Sequence, residues 1–169
     1  QEIKVQSKHK SLQKTYTVTA NTTLVTKKEL LKAACCNLAE SFETNPSIDV
    51  NFSDALTGTK QIKMLGLTSP YLMMTQENIP SVRGASQVYG LSFTPGPWIE
   101  SIQITKGAGS VVNGFESISG QINTELIKPV SEVPFLLNAY GSTDSRFELN
   151  ANFNQKLSDK WATSLLLHG

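Results

Sequence analysis

The stretch Trp98–Pro129, WIESIQITKGAGSVVNGFESISGQINTELIKP, constrains the fold more than any other. Ile102 and Ile104 alternate with Gln103 and Thr105, the period of a half-buried strand. Lys106-Gly107-Ala108-Gly109 breaks that strand, because glycine adopts backbone angles that strain other residues. Val111, Val112, Phe115 and Ile118 have roughly helical spacing, which Asn113-Gly114 and Gly120 interrupt early. Gln121 to Ile127 is extended again, with Ile122 and Leu126 on one side and Gln121, Asn123 and Glu125 on the other. Upstream, Pro97 suits the first position of a short helix through Trp98, Ile99 and Glu100.

The segments before this stretch mix one helix with short strands. Thr17 to Thr23 is β-prone. Thr26-Lys27-Lys28-Glu29 has the spacing of a capping box and opens a predicted helix. Leu30, Leu31, Ala34, Cys35, Leu38 and Phe42 form its apolar stripe, and Asn45-Pro46 ends it. Ile48–Phe52, Lys60–Leu65 and Tyr71–Thr75 read as strands separated by turns. Glu77-Asn78-Ile79-Pro80 is a further turn. Residues 81–96 form a long loop with Gly84, Gly90, Pro95 and Gly96, and loops of that length in compact domains are often functional.

The pattern changes after Pro129. Phe135, Leu137 and Ala139 alternate with Leu136, Asn138 and Tyr140. Phe147, Leu149, Ala151 and Phe153 alternate with Glu148, Asn150, Asn152 and Asn154. Trp161, Thr163, Leu165 and Leu167 alternate with Ala162, Ser164, Leu166 and His168. Short alternating strands with tight turns and aromatics at their ends suit a membrane barrel or a soluble antiparallel meander. The face carrying Phe147, Leu149, Ala151 and Phe153 separates the two: it meets lipid in the first and covers a core in the second.

Composition excludes several classes. Only 17% of the 169 residues are charged and the net charge is +1, so no basic field invites nucleic acid. No apolar run approaches the roughly 20 residues of a membrane helix, a test to which barrel strands are blind. The two cysteines, Cys35 and Cys36, are adjacent. Cys35 reads as a small buried apolar residue, and a metal site needs further converging ligands. The only two histidines, His9 and His168, lie near the ends. Gly107-Ala108-Gly109 lacks the third glycine of a dinucleotide fingerprint, because Val112 stands there. Ser110 is not in a nucleophile elbow. The expectation is no catalytic site, no metal site and no cofactor.

The central stretch resembles the plug domain of TonB-dependent outer-membrane receptors, in a Bacteroidetes-like variant. The motifs that carry the resemblance are Ile99-Glu100, Lys106-Gly107, Ser110, Asn113-Gly114-Phe115, Ser119-Gly120 and Gln121-Ile122-Asn123, with Leu65-Gly66 and Glu77-Asn78-Ile79-Pro80 upstream. Four positions depart from the family pattern: Asn113 for Tyr, Gln121 for Gly, Leu65 for Arg and, near the N-terminus, Lys4 for an apolar residue.

The resemblance implies an α+β plug domain, a small mixed β-sheet with short helices and long loops, followed by the first antiparallel strands of a transmembrane β-barrel. The expected divisions are an N-terminal tail over 1–14, the plug over 15–130 and the start of a barrel over 131–169. Three strands cannot close a barrel, and plugged transporters use about 22, so a piece of a longer receptor is expected. Glu2, Ile3, Lys4 and Val5 resemble the TonB box, which pairs with the periplasmic protein TonB by strand addition. Arg83, Gln87, Tyr89 and Phe93 are the candidate ligand-contacting residues. The implied partners are TonB, a small-molecule or metal-chelate ligand and the lipid bilayer. The implied place is the outer membrane of a Gram-negative bacterium, with the plug in the barrel lumen and the N-terminus periplasmic. The alternative is a soluble α+β interaction module with a β-meander and no transport role.

Overall fold

The structure is a computed structural model that describes residues 12–14, 21–30, 37–43, 45–52, 59–109, 111–130, 133–143 and 145–169. The strands are β1 (Leu12–Lys14), β2 (Asn21–Thr26), β3 (Ile48–Phe52), β4 (Lys60–Met64), β5 (Leu72–Gln76), β6 (Ile79–Pro80), β7 (Ile99–Lys106), β8 (Gly120–Leu126), β9 (Phe135–Gly141), β10 (Phe147–Lys156) and β11 (Ala162–His168). Among the described residues, α-helix covers α1 (Lys27–Leu30) and α2 (Leu38–Ser41).

A six-stranded mixed sheet in the order β1-β2-β7-β8-β5-β6 organises the plug, and the β5–β8 pair is parallel. The isoleucines that alternate in the sequence pair at its centre: Ile102 opposes Val25 and Ile104 opposes Ile122, all buried. Complete burial of such a side chain stabilises by roughly 1.5–3 kcal/mol. Leu30, Leu38, Phe42, Met64, Leu72, Met74 and Leu91 complete the same core, and the β3–β4 hairpin joins it through Ile48 and Ile62. Gly120 opens β8 where nothing larger fits: a Cβ there would lie 2.7 Å from the Thr105 carbonyl oxygen and would also collide with the Met64 side chain.

Two local expectations change. The helix predicted from Thr26 to Phe42 is not continuous, because Asn37 is extended (φ −139°, ψ 171°) and caps α2 afresh. Its side-chain oxygen accepts from the Glu40 amide at 3.0 Å. Cys35 and Cys36 lie outside the described residues. Ile99 and Glu100 belong to β7, and the short helical turn before them is Gly96–Trp98. As Asn113-Gly114 indicates, the helical spacing beyond β7 yields only a single 3₁₀ turn, Val111–Asn113, and Val111, Val112, Phe115 and Ile118 are exposed.

The strands after Pro129 form a separate antiparallel sheet, β11-β10-β9. Its apolar side points away from the plug: Phe135, Leu137, Phe147, Leu149, Phe153, Leu165 and Leu167 are all exposed. The Phe135 and Phe153 rings are paired across strands there, 4.8 Å between centroids. The other side carries Glu148, Asn150 and Asn152, which are buried. A water-soluble meander has the opposite polarity. This sheet has that of a barrel wall, with apolar residues outward and polar residues toward the lumen.

Candidate functional site

Two features of this scaffold bring polar and aromatic side chains together: the 81–96 loop and the seam between plug and wall. The loop leaves β6 with the Ser81 amide donating to the Met74 carbonyl at 3.1 Å. It holds two 3₁₀ turns, Gly84–Val88 and Gly90–Ser92, and is anchored by buried Leu91. The Ser86 hydroxyl donates to the Arg83 carbonyl at 2.6 Å and accepts from the Arg83 amide at 3.0 Å, which fixes the first turn.

The loop sends its predicted contact residues to different places. Tyr89 and Phe93 are surface groups, 51% and 73% exposed. Gln87 is buried and donates to the Leu72 carbonyl at 3.2 Å, bracing the loop from beneath. Arg83 grips Glu116 on the 111–118 segment, with Nε at 2.9 Å and Nη2 closing on the same oxygen. That hydrogen bond, helped by backbone donors and the guanidinium charge, holds the Glu116 carboxyl below the ordinary range. Glu2, Ile3, Lys4 and Val5 lie outside the described residues.

The turn that feeds this loop is cross-braced. Glu77 and Asn78 both have positive φ, 54° and 62°, as a tight hairpin turn requires. Asn123, buried in β8, supplies one side-chain oxygen to the Asn78 amide and the Thr75 hydroxyl, each at 2.8 Å. Glu77 accepts from the Leu126 amide at 2.8 Å and pairs with Lys128. Partial burial pushes the Glu77 carboxyl up, but the Lys128 hydrogen bond, the Leu126 amide and the lysine charge outweigh it and hold it low. Sequence alternation had placed Asn123 on a polar face; its role as a brace depends on the parallel β5–β8 pairing.

At the seam the wall leans on the 96–99 segment. Asn152 Nδ2 donates to the Pro97 carbonyl at 3.1 Å, and Trp98 Nε1 to the Leu167 carbonyl at 3.5 Å. His168 Nδ1 and Asn150 Oδ1 are 2.7 Å apart on the inner face. A cavity of about 110 Å³ remains between Lys27, Pro97 and Ile99 on the plug and Tyr140, Glu148 and Asn150 on the wall.

A mixed-sheet plug covered by strands that turn their polar side inward defines a plugged β-barrel of the outer-membrane type. The chain belongs to the TonB-dependent receptors: residues 14–121 match the family model described as TonB-dependent Receptor Plug Domain. Among curated proteins it is similar to the vitamin B12 transporter BtuB of Vibrio vulnificus, 25% identical over 135 residues, 79% of this chain and 22% of that protein. Among solved structures, the ferripyoverdine receptor of the Pseudomonas aeruginosa outer membrane superposes with a TM-score of 0.73 at 17% identity, over 88% of this chain and 19% of that one. The ferric-catecholate import receptor Fiu of E. coli does so with a TM-score of 0.72 at 18% identity, over 90% and 21%. The chain thus spans about a fifth of the length of these relatives. Proteins of this family are receptors and transporters of the Gram-negative outer membrane.

Proposed function

We propose that this chain is the plug and opening wall of a receptor that gates energy-dependent uptake of a scarce metal chelate. The observation that carries this reading is the inverted polarity of β9–β11, buried Asn150 and Asn152 toward the plug and exposed Leu149 and Phe153 away from it. A soluble module would turn that apolar face onto a core. The chelate class is favoured by the relatives, one named for a ferripyoverdine, one for a ferric catecholate and one for vitamin B12. The ligand meets the 81–96 loop through Tyr89 and Phe93, with Arg83 held ready by Glu116 and Gln87 supporting the turn. TonB engages Glu2, Ile3, Lys4 and Val5 by strand pairing and pulls the plug open. The expected domain limits, 1–14, 15–130 and 131–169, follow from the same reading, with the plug sheet reaching back into the first segment through β1 (Leu12–Lys14).

One binding experiment tests both ends. The detergent-solubilised chain is titrated with a panel of ferric siderophores and cobalamin, and its retention on immobilised TonB is measured with and without residues 2–5. At least one chelate should bind and lose affinity about 10-fold in Phe93→Ala or Tyr89→Ala, since aromatic anchors dominate such contacts. Retention should vanish without residues 2–5. Binding unaffected by either aromatic variant refutes the loop assignment, and retention that survives the truncation refutes the TonB segment.

A further inference from the structure

A row of alternating charges crosses from the wall into the plug just ahead of β10. Arg146 donates from Nε to Glu148 Oε1 at 2.6 Å, and its Nη1 reaches Glu40 Oε1 on α2 at 3.4 Å. The same Glu40 oxygen lies 3.6 Å from Lys60 Nζ, and Lys60 is 2.5 Å from Glu43 Oε1. Asn37 Nδ2 approaches that Glu40 oxygen at 3.4 Å. One carboxylate oxygen therefore gathers a wall arginine, a hairpin lysine and a helix cap.

This row differs from the surface ion pairs elsewhere on the molecule. The Glu148, Lys60 and Glu40 side chains are only 10%, 16% and 19% exposed, so water and salt screen them less than they screen Lys156–Asp159, whose partners are 62% and 99% exposed. The two seam contacts at Pro97 and Leu167 are hydrogen bonds between uncharged groups. The Arg146–Glu40 contact joins full charges across the seam.

We infer that Arg146 and Glu40 form an electrostatic clasp that fastens the barrel wall to the plug, and that opening it frees the α2 side of the plug. The clasp is built to open. Arg146 is 45% exposed, so solvent can replace Glu40, and Glu148 keeps the guanidinium paired when it swings away. The clasp is also tied to the 81–96 loop. The Leu38 amide donates to the Thr94 carbonyl at 3.0 Å, and Asn37 bridges Pro95. Loop end and clasp thus share one helical turn, and displacement of Thr94–Pro95 drags Glu40. Only this last coupling rests on the ligand-facing reading of the loop; the clasp stands without it.

A double-mutant cycle tests the clasp. Hydrogen exchange of the 169-residue chain in detergent is compared for wild type, Arg146→Gln, Glu40→Gln and the double variant. Each single change should speed exchange in β9 and β10 about 3- to 10-fold while β7 and β8 stay protected, and the double variant should be no faster than the faster single. Effects that multiply in the double variant, or single variants that exchange like wild type, overturn the clasp. Arg146→Lys keeps the charge and loses the fork, so it should fall between wild type and Arg146→Gln even if a glutamine variant folds poorly. A lysine variant as fast as Arg146→Gln overturns the electrostatic account. The cycle uses no ligand, so a chain that binds no chelate leaves its result intact.

Discussion

Replacing Asn123 with alanine isolates the brace under the β5–β6 turn. Asn123 is 3% exposed, and its Oδ1 is the acceptor for both the Thr75 hydroxyl and the Asn78 amide. The two orphaned donors differ in what they can do next. Thr75 is 1% exposed, and its remaining acceptor is the Ile122 carbonyl at a poorer 3.4 Å, so the change costs about 1–2 kcal/mol there. Asn78 lies at an exposed turn where water replaces the lost bond, for about 0.5–1 kcal/mol. The sum is about 1.5–3 kcal/mol, read as a shift of the urea midpoint at unchanged slope. Thr75→Val removes the costlier donor together with its need, so Asn123→Ala added to Thr75→Val should lose less than the sum of the two single changes. A loss below about 0.5 kcal/mol for Asn123→Ala, or strict additivity with Thr75→Val, would refute the reasoning.

Two more predictions bear on the same architecture. Glu77 has a folded pKa below its ordinary value of 4.5, so its contribution to stability is present above that value and disappears as the pH falls through the folded pKa. Amide exchange at Asn78 and Ile79 should accelerate on acidification from about pH 5, and Glu77→Gln should flatten that dependence; an equally steep acid response in the variant excludes the Lys128 pairing as its cause. The chain has two tryptophans, and Trp161 is 73% exposed in the turn before β11. With Trp98→Phe in place, brominated lipid should quench Trp161 strongly, as the interfacial aromatics of a barrel require. Emission insensitive to bromine would remove the outward face from the bilayer.

How much of this was legible depended on the range of the interaction. Period-two runs such as Phe147–Phe153 gave the strands almost to the residue, because alternation is local to one strand. The break at Asn37 was also written locally, as an Asn followed three residues later by Glu40, but the apolar stripe from Leu30 to Phe42 outweighed it. Val111, Val112, Phe115 and Ile118 keep only the short turn that Asn113-Gly114 allows. Gly114, at φ +143°, turns the chain before a second turn of helix can form. The pairs Arg83–Glu116 and Glu40–Arg146 were not legible at all, since 33 and 106 residues separate the partners and only the sheet order brings them together.

The wall strands show why a correct pattern can still leave function open. Alternation at Glu148, Leu149, Asn150, Ala151 and Asn152 fixes two faces but does not say which one meets protein. In water, burying two asparagines and a glutamate while exposing Leu149 and Phe153 would be unfavourable on both counts, through unpaired polar groups inside and wet apolar area outside. In a bilayer the second count reverses sign, and the first is eased because the buried side faces a polar plug edge with Pro97 as acceptor and Lys27 beside it. The same side chains are therefore a defect in one solvent and a specification in the other. The presence of the plug against the asparagine face selects the second.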